Sequence, residues 1–453
     1  VVTVGGGGGL ILALAVGCAS PPKRPAGDPL QPVDPRLSWL AETDRTATGW
    51  EKPTLTEQST LDDYLRYAAL NNAELEAAFN RWKAELEKVP QVRALPDPRF
   101  SYGYFIQSVE TRTGPQHQRF ELAQTFPWFG KLRLRGDAAL AAADAAQQQY
   151  EAAKLRLFYR VKDAFYEYYY LGRAIAVAQD NVELLRQVEK VARTKYESGT
   201  ALYADVLKAQ AELDKLDDRL QTLRERRGPI LAKLNAALNR PFNAPLAWPN
   251  SVPVITVAVD ETQLMATLAQ SNPELKGLEA MAQKEKSGIA LAKKGFFPDI
   301  TLGVDYIQTG EALNPNTPDS GKDPIMLMLS FNLPLWESKY RAAESEAAAR
   351  YQAVQEQHTD RTNTLIADLK LALFKYQDAI RKVTLYREAL IPKAQQTLEV
   401  TRRAFETGQA DFLSLIDAQR TLLEFALTYE RAVADHAQRL AEMEMLLGKA
   451  LAK

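Results

Sequence analysis

The sequence predicts a mainly α-helical chain with a small β part, in which one helix–strand–strand–helix plan occurs twice. Segments of the two halves match in the same order, proline-free stretches run far past ordinary helix length, and four short alternating stretches sit at equivalent places between the helices. Matched segments in a fixed order are the mark of an internal duplication.

Composition removes several functional classes. Of 453 residues, 56 are basic and 57 acidic, so the basic excess of a nucleic-acid binder is missing. Apolar residues make up 46%, which supplies a core and argues against global disorder. There is no HExxH, no phosphate-cradling glycine loop and no nucleophile elbow, and GGGGG at 5–9 is low-complexity. The chain therefore reads as a non-enzyme without a cofactor. His117, His358 and His436 show no metal-ligand spacing; the last two read as helix-surface residues and His117 as a loop residue.

Residues 1–17 read as a signal peptide. The run LILALAVG (10–17) is too short to span a bilayer, which takes roughly 20 apolar residues, and it ends in small residues. The charged n-region is absent from the stretch before Lys23. Cys18 follows at once and is the only cysteine, so it has no partner for an internal disulfide. Ala15-Val16-Gly17-Cys18 resembles the lipobox of bacterial lipoproteins, with Ala15 where leucine is usual. That resemblance implies acylation of Cys18; Ala19 and Ser20 lack the aspartate of inner-membrane retention. Residues 18–60 then form a lipid-anchored tether, with six prolines in 21–35.

The first repeat is expected over 61–240 and the second over 261–449, separated by a linker (241–260) carrying Pro241, Pro245, Pro249 and Pro253. LNNAELEAA (70–78) matches QSNPELKGL (270–278), and LPDPRFSYGYF (95–105) matches FPDITLGVD (297–305). KYESGTALYADVLKAQ (195–210) matches AFETGQADFLSLIDAQ (404–419). Helices are expected over 61–94, 131–198 and 201–240, then over 261–296, 338–407 and 409–447. The 131–198 helix would reach roughly 100 Å at 1.5 Å per residue. In each half the two shorter helices together match the long one in length, so they can lie end to end along it. Gly199 and Gly408 end the long helices, and Pro392 should kink the second.

The strands are expected at about 100–107, 119–126, 300–307 and 325–333. Phe100, Tyr102, Tyr104 and Ile106 share a face, as do Ile300, Leu302, Val304 and Tyr306; Arg119, Glu121, Ala123 and Thr125 form a polar face. Alternation of this length is the pattern of transmembrane barrel strands. Four strands cannot close a barrel and open edges are forbidden in lipid, so if these strands sit in lipid the chain must oligomerise.

Over about 60–450 the chain resembles the TolC-like outer-membrane efflux channels, particularly the acylated members. The likeness rests on the duplicated plan, on TFPWFGK (125–131) and NLPLWESK (332–339) leading from strand to helix, and on the two glycine segments. QTFPWFGKLRLRGDAA most resembles the cation-efflux, CzcC-like branch. The resemblance implies a homotrimer whose four strands per protomer form a 12-stranded transmembrane barrel, continued by a periplasmic α-helical barrel. It implies an exit channel in the outer membrane of a Gram-negative bacterium, passively conducting small toxic solutes, metal cations ahead of drugs. Its partners would be a periplasmic adaptor protein, an inner-membrane pump and outer-membrane lipid.

By the same resemblance the pore constricts just beyond the second helix turn, where the family carries two aspartates. Here Asp417 keeps one, Ser414 replaces the other, and the first repeat has Asp205. Gly199, Gly408, Leu207 and Leu415 are the expected tip and adaptor contact. Phe126, Trp128, Phe129 and Trp336 are the expected membrane-interface aromatics. Tyr166, Tyr168, Tyr169 and Tyr170 divide between core and rim. The competing reading is a lipid-anchored periplasmic coiled-coil adaptor or scaffold, which carries a single helical hairpin rather than a duplicated one.

Overall fold

Local capping signals fix where each helix begins. The computed structural model describes residues 54–249, 251–257, 260–314 and 316–451; the signal, Cys18 and most of the tether lie outside them. Thr60 opens α1 (Leu61–Asn71) with a capping box: its backbone N–H donates to Asp63 Oδ2 at 2.8 Å while its hydroxyl accepts from Asp63 N–H. The expected 61–94 helix then breaks at Asn72, whose extended backbone (φ −72°, ψ 121°) separates α1 from α2 (Ala73–Arg93). The amide side chain makes the break tolerable. Its oxygen accepts from Leu75 N–H at 3.0 Å, capping α2, while its nitrogen donates to the Ala237 carbonyl at 3.0 Å.

Strands β1 (Arg99–Tyr104) and β2 (Gln116–Phe126) follow, then α3 (Lys131–Glu197), 67 residues without a break. The expected returning helix is two: α4 (Tyr203–Glu225) and α5 (Arg227–Ala237). Pro229 explains the interruption, since it has no N–H to continue the ladder. Because α5 ends at the Asn72 amide where α2 begins, α4–α5 and α2 lie end to end along α3.

The second half repeats the plan: α6 (Glu261–Ser271), α7 (Pro273–Lys294), β3 (Ile300–Thr309), β4 (Ile325–Phe331), α8 (Glu337–Leu385), α9 (Ile391–Glu406) and α10 (Phe412–Leu447). Asn272 plays the part of Asn72. Its oxygen accepts from Glu274 and Leu275 N–H at 2.8 and 3.1 Å, and its nitrogen donates to the Leu446 carbonyl at 2.8 Å. Pro273 at the first helical position reinforces the break. Before Pro392 the structure has a π-helical turn, Tyr386–Leu390, which widens the helix where a proline ring would crowd the preceding carbonyl.

The mast of the molecule is α3, which lies against α1, α2, α4, α5, α7 and α10. Its consecutive tyrosines divide as expected: Tyr168 and Tyr169 are buried, Tyr166 and Tyr170 partly so. Tyr168 stacks on Trp248 at 4.3 Å and its hydroxyl donates to the Leu246 carbonyl at 3.0 Å. A side chain at Gly172 would collide with that tryptophan, at 2.9 Å. From α8, the buried Tyr376 hydroxyl donates to the Ile255 carbonyl at 3.2 Å and accepts from Val257 N–H at 3.0 Å. Two buried tyrosines thus fasten the proline-rich linker.

Asn272 is 2% exposed and bonded through both ends of its amide. Asn272→Ala should cost about 1–3 kcal/mol in thermal or denaturant unfolding. Asn272→Asp, which keeps the cap oxygen and loses the donor to Leu446, should still be destabilised, because it leaves a carboxylate facing that carbonyl.

Candidate functional site: sheet, elbow and helix tips

The four strands form one antiparallel sheet in sequence order, with β1 and β4 at open edges. One face is predominantly apolar, with Gln118, Gln124 and Gln308 as its polar members. Phe100, Leu122, Val304 and Leu327 form one cross-strand row, all about half exposed or more. Tyr102, Phe120, Tyr306 and Ile325 form the next, with ring contacts at 5.3 and 6.0 Å along it. The other face carries Ser101, Arg119, Glu121, Thr125, Thr301, Asp305 and Ser330, and the Thr125 and Thr301 hydroxyls meet at 2.8 Å. Strand β1 ends before Ile106, which is 95% exposed beyond the sheet. Strand β2 starts earlier than expected, so His117 belongs to the strand and not to a loop.

At the elbow, Asp299 of the FPD segment accepts from Trp128 N–H at 2.8 Å and from Lys131 Nζ at 2.7 Å. Trp128 stacks on Phe297 at 5.3 Å. It therefore turns into the elbow, whereas Phe129 (79% exposed) and Trp336 (74%) stay outside, with Phe126 between these extremes. Among the described residues no helix is long and apolar enough to cross a membrane.

The far ends of α3 and α9 close identically. Gly199 (φ +73°) and Gly408 (φ +78°) take the left-handed conformation; Thr200 N–H reaches the Lys195 carbonyl at 2.8 Å and Gln409 N–H the Ala404 carbonyl at 2.7 Å. Lys195 joins the two turns, its ammonium donating to the Phe405 carbonyl and lying 4.7 Å over that ring. The helices leaving the turns differ. Helix α4 has no side-chain cap, while α10 is capped by Asp411, which accepts from Ser414 N–H at 2.8 Å. The Ser414 hydrogen bonds hold the Asp411 carboxyl below its ordinary range. Asp411 and Lys195 are tip residues that sequence reasoning missed; an aspartate three residues before Ser414 at a helix start was the available signal.

Asp417 is exposed on α10 beside Arg420, which grips Glu212 of α4 at 3.0 and 2.5 Å. Asp205 lies 3.7 Å from Lys208 on its own helix. Leu207 is 49% exposed, but Leu415 is 1% exposed and sealed in the core with Phe405 and Phe412. The expected contact at Leu415 is thereby corrected. In the repeat register Leu415 matches the buried Val206, and Leu413 (58% exposed) is the leucine the second tip presents. Between α4 and α10 runs a groove of about 270 Å³ floored by Leu185, Leu216, Ile416 and Leu423.

His436 also departs from expectation: it is fully buried on α10 against Tyr376, ring centroids 5.0 Å apart, and not on a helix surface. Neither ring nitrogen makes a hydrogen bond of good geometry among the described residues, although the Ile255 carbonyl lies close enough to act on the ring. No cluster of His, Cys, Asp or Glu able to hold a metal occurs among those residues.

The pattern of the outer membrane efflux protein family matches residues 65–240 and again 264–449, once in each repeat. The chain belongs to that family. It is 23% identical to nodulation protein T of Rhizobium leguminosarum bv. trifolii over 422 residues, 89% of this chain and 88% of that one. It is 24% identical to toxin and drug export protein A of Aggregatibacter actinomycetemcomitans, over 65% of this chain and 64% of that one. With the cobalt-zinc-cadmium resistance protein CzcC of Cupriavidus metallidurans it shares 19% identity over 86% and 90% of the two chains. Among solved structures it is similar to the outer-membrane channel OprN, with a TM-score of 0.73 at 15% identity over 89% and 95% of the chains. Family membership removes the adaptor or scaffold reading.

Burial pushes the His436 pKa below its ordinary 6.5, and the Ile255 carbonyl opposes this only in part. The neighbouring charges Asp435 and Arg439 are engaged with Arg431 and Glu442. The folded state thus binds fewer protons at His436 than the unfolded state. Its contribution to stability is complete above pH 6.5 and is lost as pH falls from there toward the depressed value. Thermal unfolding against pH should show His436→Leu losing less stability than the wild type as pH falls below 6.5.

Proposed function

We propose that three copies of this chain form a passive exit duct in the outer membrane of a Gram-negative bacterium, the last part of a tripartite efflux system. The observation that carries the reading is a sheet with two open edges and an apolar outer face, set at one end of helices about 100 Å long. Unpaired edges cannot face lipid. Neighbouring copies supply the missing partners, and four strands from each give a closed 12-stranded barrel. Phe126, Phe129 and Trp336 then lie at the membrane interface, and the helices continue as a periplasmic cylinder. The pump provides the energy and the duct carries out no chemistry.

At the cylinder's end, the exposed Asp417 would give a threefold carboxylate ring that attracts cations and repels anions in a narrow, low-dielectric pore. The periplasmic adaptor would pack on Leu207 and Leu413 beside Gly199 and Gly408, with the α4–α10 groove receiving apolar side chains. Acylation of Cys18 would hold the N-terminus in outer-membrane lipid; an unmodified thiol on mass spectrometry of the mature chain would refute that part.

Metal cations are the favoured cargo over drugs, on the QTFPWFGKLRLRGDAA segment and the match to CzcC. The match to the toxin and drug export protein makes drugs the alternative. A deletion strain should become sensitive to cobalt, zinc, cadmium or copper, and sensitivity to dyes and antibiotics alone would overturn the metal assignment. Trimer mass in detergent and heat-modified mobility test the duct itself.

In planar bilayers Asp417→Ala should weaken block by multivalent cations about tenfold, the effect of losing about 1.4 kcal/mol of cation affinity. Unchanged block and conductance would remove Asp417 from the gate.

A further inference from the structure

We propose that Asp305 sets the charge seen by ions inside the barrel, independently of the carboxylates at the helix tips. This rests on the duct reading, in which the polar face of the sheet lines the lumen. On that face Glu121 and Asp305 stand directly opposite one another across β2 and β3. Like charges in that arrangement repel and destabilise a strand pair. Arg119, two residues from Glu121 on β2, resolves the conflict. Its Nε donates to both Asp305 oxygens at 3.0 and 2.9 Å and a terminal nitrogen lies 2.8 Å from Oδ2, while Glu121 stands at 4.0 Å.

Exposure decides what a passing ion meets. The Asp305 side chain is wholly covered, whereas Arg119 keeps 44% of its side chain exposed and Glu121 28%. A sheet clamp needs the bond alone; it does not need the guanidinium left open to the lumen. Threefold repetition would line the wall with three arginines whose charge is cancelled from behind by Asp305 and from the side by Glu121. The one other cation on this face of the strands is Arg99, at the foot of β1. Without Asp305 the wall would be net positive and would oppose the cations that the tip carboxylates admit.

Ionic strength gives this charge a signature. The screening length is roughly 30 Å at 0.01 M salt and roughly 3 Å at 1 M. A wall charge in a wide barrel therefore acts on permeation at low salt and is silent at high salt. Reversal potentials across planar bilayers at 0.01 M should order the cation-to-anion permeability ratio as Arg119→Gln above wild type, and wild type above Glu121→Gln and Asp305→Asn. Each step should be about fourfold or more. One charge acting over about 10 Å of water changes cation occupancy about twofold in one direction and anion occupancy about twofold in the other, and each substitution recurs in three copies. Arg119→Lys should keep the wild-type ratio, and all five proteins should converge at 1 M. Glu121→Gln leaves the Arg119–Asp305 bond intact, so its ratio reports charge even where Asp305→Asn fails to assemble. Conducting channels with one common ratio at low salt would overturn the inference and leave the duct standing. Failure of the wild type to conduct at all would overturn the duct reading first.

Discussion

Backbone amides and carbonyls along the outer sides of β1 and β4 find no partner strand among the described residues, and the rest of the architecture answers to that fact. A sheet apolar on one face and polar on the other is suited to a boundary between hydrocarbon and water, but only when its edges are closed. Closure by identical neighbours needs each copy to present its sheet at a fixed angle. The elbow provides this: Asp299 receives both the Trp128 amide and the Lys131 ammonium, so the end of the sheet and the start of α3 share one anchor. Rigid attachment of strand to mast is what the proposed barrel would require of each four-stranded stave.

The duplication supplies the second half of that stave, and it is more than a copied sequence. Asn72 and Asn272 each interrupt a helix, cap the next one and reach back to the last carbonyls of a returning helix. A single amide carries both tasks because it has an acceptor and a donor on opposite ends. The effect is to join two short helices into one column as long as its neighbour. Around the middle of that column the linker is held by the hydroxyls of Tyr168 and Tyr376, so the two repeats are tied at the waist as well as at the sheet.

The repeats diverge where function would demand it. Both tips close on a left-handed glycine, yet only the second has a carboxylate cap, and Lys208 of the first repeat stands where the second has Asp417. Cross-links such as Arg420–Glu212 and Arg219–Glu424 at 2.6 Å join α4 to α10 over an apolar groove. These exposed pairs add little stability singly; their value lies in holding two tips of unlike charge in register.

Much of this was legible in the sequence because it depends on residues close together in the chain. Helix length followed from the absence of proline between 129 and 228, strand faces from two-residue alternation, and the tips from Gly199 and Gly408. The breaks at Asn72 and Arg226 were not legible, since an asparagine or a proline near a helical pattern signals a boundary only when a distant carbonyl or helix end waits for it. Pairings across the fold were equally out of reach. That Leu415 is sealed while Leu413 is exposed, that His436 is buried, and that Arg119 clamps Asp305 all depend on which helix or strand lies alongside. Sequence determined the helical and strand segments in outline, the duplication and the family, because local periodicity and repeated spacing encode them. Tertiary structure alone decided which charges meet and which leucines reach solvent, because burial is a property of neighbours that the chain brings together from hundreds of residues apart.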